Sequence, residues 1–186
     1  MTGQQTTLMT HPLGSSLLIA TDDDDRAPRS VAFGEGALLA AMAVGFIHHI
    51  DHVLRYDHSG WPFRPDVTPF TFSLAVYPVL FAALVLRGRP WLRAALVAVV
   101  LLFAQTAHIF VETPIQQFST WASGVSSEPY ALGEPNLLGI ASPVAGVISA
   151  GVSLALSVLL ITALVSFLIE ARRLAAPAAP RADRRF

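Results

Sequence analysis

The sequence predicts an all-α integral membrane protein, an up-down four-helix bundle with both termini in the cytoplasm. Three observations carry that expectation: a composition too apolar for a water-soluble domain, four apolar stretches of spanning length, and a one-sided distribution of arginine. Of 186 residues, 53% are hydrophobic and only 13% charged, and the mean hydropathy is +0.55. A soluble domain carries roughly a quarter charged residues, so lipid is the expected solvent and a multi-pass position in the cell membrane the expected location.

Each stretch is judged against the roughly 20 residues that a helix needs to cross about 30 Å of hydrocarbon. The first spans about 31–55 and turns polar after Ile47. The second spans about 69–87, where Thr68-Pro69 supplies an N-cap and a first helical residue. Pro78 should kink it by removing one backbone hydrogen bond. Gly88 suits a left-handed helix stop and Pro90 a helix start, which predicts a tight hairpin into the third span, about 90–112. The fourth spans about 143–170, opened by Ser142-Pro143. Flanking this 31–170 domain, residues 1–30 and 171–186 read as disordered cytoplasmic tails, the second of them basic.

Orientation follows from counting. With four spans, one side carries Arg26, Arg29, Arg87, Arg89, Arg93, Arg172, Arg173, Arg181, Arg184 and Arg185, and the other only Arg55 and Arg64. Basic loops stay inside, which puts both termini in the cytoplasm. The 113–141 connection has no arginine and belongs outside. Within it, Thr113-Pro114 should cap a short helix that lays Ile115, Phe118 and Trp121 on the membrane surface and ends near Gly124. Trp61 and Phe63 would form an outer aromatic belt, and Trp91 an inner one.

Composition also removes chemistries. The chain has no cysteine, so disulfides, thiolate metal sites and cysteine nucleophiles are excluded. All twelve basic residues are arginine, which excludes a lysine Schiff base. A net charge of −1 gives no reason to expect nucleic acid; the expected partners are membrane lipids, and a membrane protein or a second copy of the chain.

Two polar stripes remain. In the first span, His48, Asp51, His52 and Arg55 fall at i, i+3, i+4 and i+7; in the third, Gln105, His108 and Glu112 share a face in the same way. Both spans run outward, so the stripes lie at one end of the molecule. From the helical rise, His48 and His108 sit roughly 8 to 9 Å outside the midplane, with His52 and Glu112 about 14 to 15 Å out. In an up-down bundle these side chains meet across the core, where such folds build metal sites. His48, His52, His108 and Glu112 would supply three imidazoles and a carboxylate to a transition-metal ion (zinc, iron, copper, nickel or manganese), with Asp51 or Gln105 orienting a ligand from behind. Asp57, His58 and Asp66 would extend the rim.

Two alternatives compete with the metal site. The level pair His48 and His108 would serve as axial ligands of haem b, with Gly45 leaving room. Alternatively the cluster is structural, and the protein is a non-catalytic membrane scaffold or accessory subunit whose partners engage the fourth helix or the outer loop. Whether the protein is an enzyme does not follow from these residues. On the fourth span, Gly146, Ser149, Ser153 and Ser157 are spaced for close helix packing. Glu35 reads as an inner-interface residue at a helix start, and His11 as a solvated tail residue.

Overall fold

The computed structural model describes residues 29–55, 72–127 and 131–176, with side chains from residue 32 onward. The expected tails up to residue 28 and from 177, the rim residues Asp57, His58 and Asp66, the Trp61–Phe63 belt and the Thr68-Pro69 cap lie outside the described residues. The described chain forms five helices: α1 (Arg29–Arg55), α2 (Val76–Val85), α3 (Pro90–Phe110), α4 (Pro114–Ser123) and α5 (Pro143–Ala175). Three of them, α1, α3 and α5, are long and apolar enough to cross a membrane. The chain is thus a multi-pass membrane protein, and the expected four-helix bundle is corrected to five helices with three of membrane length.

The correction has two physical causes. Among the described residues the second span is broken at residues 74–75 ahead of Pro78, and the continuous helix after the break is ten residues, about 15 Å. A helical residue 78 would donate to the Leu74 carbonyl, which proline cannot do and which its ring crowds. Leu74 O instead accepts from Tyr77 N at 3.2 Å, Phe72 O accepts from Ala75 N at 3.0 Å, and residues 74–75 form a turn. The other cause is α4, which joins the interior. Its capping box (Thr113 with Gln116), Pro114 at the first position and Gly124 in the left-handed conformation (φ 82°) fix both of its ends. Ile115 is exposed as expected, but Gln117, Thr120 and Trp121 are buried.

α5 is the organiser, packing against α1, α3 and α4, while α2 and α3 form a hairpin. At 33 residues it extends about 50 Å, more than a bilayer core requires. Ser142 caps it, accepting from Ala145 N at 3.3 Å. The hairpin turn closes with Arg89 N donating to Leu86 O at 2.9 Å, and Gly88 has no positive φ, so the expected left-handed glycine stop is absent.

The core is built from small and branched residues, among them Leu38 and Ala41 of α1, Leu80 and Ala83 of α2, Val97 and Val100 of α3, and Leu160, Ala163 and Phe167 of α5. Two glycines set its closest approaches. A Cβ on Gly34 would lie 2.8 Å from Ser166 Cβ, and one on Gly146 would lie 2.6 Å from the Phe118 carbonyl oxygen. Side chains larger than hydrogen would push α1 from α5 at one end and α4 from α5 at the other. The loop after α4 folds back on α1, with Leu137 N donating to Leu54 O at 2.9 Å. It helps close the end of the molecule where the polar stripes lie.

Candidate functional site

The last two turns of α1 and the end of α3 bring their stripes together as the spacing requires. The rings of His48 and His108 lie 5.2 Å apart between centroids, edge to face, and those of His48 and His52 lie 4.5 Å apart. Arg55 occupies the middle of this group with no solvent exposure. Its Nε donates to Asp51 Oδ2 at 2.7 Å, and its Nη1 is ion-paired with Glu112. Glu112 also holds His52, at 3.2 Å from Nδ1.

The cluster is also bonded to α4 and α5. Asp51 accepts from Trp121 Nε1 of α4 at 2.8 Å and from Ser149 Oγ of α5 at 2.6 Å. His48 uses both ring nitrogens: Nε2 is 3.0 Å from His52 Nε2, and Nδ1 is 3.2 Å from Ser153 Oγ. Ser153 donates to Gln117 Oε1 at 2.6 Å, and Gln117 Nε2 lies 3.3 Å from His108 Nδ1. Gln105 points elsewhere, donating to Ser157 at 2.8 Å.

The expectation of metal binding is therefore corrected. Among the described residues no group of three or more histidines, aspartates and glutamates is placed to hold a metal ion. The reason is visible in the charges. The cation that the carboxylates face is Arg55. Both ring nitrogens of His48 have protein partners, His52 and Ser153. Asp51 supports the guanidinium and the Trp121 indole instead of an imidazole.

A second cluster, not foreseen, lies at the other end of the spans. Arg93, with no solvent exposure, donates to Ala83 O at 2.8 Å, to Glu35 Oε1 at 2.9 Å and to Glu170 Oε2 at 3.3 Å. Its guanidinium carbon sits 4.0 Å above the Phe167 ring, a cation–π contact. Glu35 also takes a two-pronged contact from exposed Arg87, at 3.0 Å for both bonds. Because Glu35 lies in the N-terminal part of α1 and Glu170 near the C-terminal end of α5, those two ends come to the same end of the molecule. The sequence signal was available: Arg93, three residues inside a span opened by Pro90, falls on the same face as buried Val97 and Val100.

The residues that sequence reading missed at the first cluster came from α4 and α5. Gln117, Thr120 and Trp121 stand at i, i+3 and i+4, a stripe that would have marked an inward face. The small residues of α5 were read as packing alone, and Gly146 does pack, but Ser149 and Ser153 also bind the cluster.

Beside the cluster, between α1, α2, α3 and α5, lies a cavity of about 730 Å³. At one end it reaches His48, His49 and His108; at the other, Ala41, Leu80 and Val100. His49 turns away from Arg55 toward α2, with Nδ1 2.8 Å from Gly45 O and 2.8 Å from Tyr77 Oη, and Nε2 2.8 Å from Ser73 Oγ. Comparison of the chain with protein-family models, with curated proteins and with solved structures finds no match.

Proposed function

We propose that the protein is a non-catalytic membrane scaffold or accessory subunit whose buried charges lock its spanning helices together. The observation that supports this reading is the make-up of the two clusters. Arg93 of α3 joins Glu35 of α1 to Glu170 of α5, so one ionic group draws on all three spans. At the opposite end Arg55 and Asp51 of α1 meet Glu112, which follows α3, together with Ser149 of α5 and Trp121 of α4. Ionisable groups are costly in a membrane unless paired, and here they are paired with one another instead of facing an open channel. The small-residue face of α5 is consumed inside the fold, which leaves its apolar side, with Val147, Leu154, Val158 and Ile161, to lipid and to a partner subunit or a second copy of the chain.

Protein purified in detergent without chelators tests this reading. Elemental analysis and an absorption spectrum should give no stoichiometric metal and no Soret band, and His48→Ala should leave both unchanged. One equivalent of a transition metal, or a Soret band lost in His48→Ala, would overturn it.

A further inference from the structure

The structural reading of the clusters leaves the cavity without a role. Its volume, about 730 Å³, falls inside the roughly 300–1,000 Å³ of small-molecule sites. Along α1 its wall runs from Ala41 to His52, about 16 Å by the helical rise. Its character changes over that length, from aliphatic residues toward the middle of the spans to histidines, Ser73 and Tyr77 near their end. A ligand matched to it is apolar along its body and polar at one tip.

Hydrogen positions around His49 define the tip. A carbonyl oxygen only accepts, so the contact from His49 Nδ1 to Gly45 O places a hydrogen on Nδ1. Tyr77 Oη, at the same 2.8 Å from Nδ1, must then accept a share of that hydrogen. Its own phenolic hydrogen has no acceptor among the described residues. Tyr77 Oη lies beside Gly45 on the cavity wall, 3.8 Å from where a Cβ on that glycine would stand, an ordinary van der Waals distance. A half-buried hydroxyl with an unused donor calls for an acceptor oxygen.

The head must also be neutral. Among the described residues the arginine at this end is Arg55, already committed to Asp51 and Glu112, so an anionic head would find no free arginine there among them. Phe72, Phe103 and Tyr77 line the same region and suit a flat ring. We propose that this cavity binds a lipid-soluble carbonyl compound of the alkylquinone type, with a ring carbonyl accepting from Tyr77 and the tail lying along Ala41, Leu80 and Val100.

Decylubiquinone is a suitable probe and decylbenzene its carbonyl-free counterpart, both titrated into the full-length protein in detergent and read by thermal shift and by equilibrium dialysis. Decylubiquinone should bind saturably near one per chain and decylbenzene at least threefold more weakly. Tyr77→Phe should weaken the quinone by about three- to tenfold, the size of one hydrogen bond, and leave decylbenzene unchanged. Ala104→Phe, which fills the cavity from α3, should weaken both, and its unliganded melting temperature reports whether it folds. Equal affinity for the two probes, or a quinone affinity indifferent to Tyr77→Phe, overturns the proposal in favour of a cavity filled by acyl chains. Metal content is not read in this experiment, so its failure leaves the scaffold reading standing.

Discussion

Arg93 on α3 donates to Glu35 on α1 at 2.9 Å from a position with no solvent exposure. The same guanidinium reaches Glu170 near the end of α5, so one side chain ties the three membrane-length helices at a single level. A buried ion pair adds little when compared with a well-packed apolar substitute, yet breaking it from one side is expensive because a charge is left behind.

The first prediction follows from that asymmetry. Arg93→Met should destabilise the protein by about 3–5 kcal/mol, read as a lower melting temperature in detergent. Arg87→Met should cost less than about 1 kcal/mol, because Arg87 reaches the same Glu35 from an exposed position. Equal losses would mean that Arg93 is not the clamp.

The second prediction separates charge pairing from packing at the opposite end. Arg55→Met leaves Asp51 and Glu112 without the cation they share and should be severely destabilising. Adding Glu112→Gln to Arg55→Met should recover part of the loss, since one of the stranded charges disappears. Strict additivity of the two single changes in thermal melts would argue against a direct pair.

The third prediction concerns the seam between α4 and α5. Gly146→Ala forces a Cβ to within 2.6 Å of the Phe118 carbonyl oxygen, a backbone atom that cannot swing aside, whereas a Cβ on Gly151 meets nothing within 4 Å. Gly146→Ala should lower the melting temperature, and Gly151→Ala should hold or raise it through better helix propensity. The same contrast applies to Ser153→Phe, at a buried site, against Val158→Phe, at an exposed one.

How much of this was legible beforehand depends on which interactions are local. The extents of α1, α3 and α5 follow from length and hydropathy, because a span in lipid must satisfy its own backbone. Thr113, Gln116 and Gly124 announce α4 in the same way, since a cap is decided within four residues. The depth arithmetic brought His48 level with His108, and the rings do meet. What sequence could not supply was the sign of the site's centre. Arg55 can turn to headgroups or to Glu112 with the same backbone, and only the loop that carries Leu137 onto Leu54 and the arrival of Trp121 and Ser149 at Asp51 decide for the interior. The two contacts to Asp51 join residues 70 and 98 positions apart. The shortening of the second span was half legible: Pro78 pointed to a kink, but the break falls at residues 74–75, where the displaced carbonyl finds its new donor.

The last prediction tests the meeting of α1 and α3 on which the cluster rests. Both helices pack against α5, and His48 and His108 face each other with ring centroids 5.2 Å apart. Cysteines placed at these two positions in this cysteine-free chain should be joined by a short bifunctional thiol reagent, with the product visible as a mobility shift after cleavage of the intervening chain. Ile50 and Ile109 are adjacent in sequence to the cluster but exposed on its outer side, so a cysteine pair there should not react with the same reagent. Because His48 is also bonded to His52 and Ser153, the paired substitution will lower stability, and the melting temperature of each double variant must be taken alongside. A folded double variant at 48 and 108 that fails to crosslink, or equal crosslinking at 50 and 109, would separate the two stripes and with them the common origin of the Arg55 cluster.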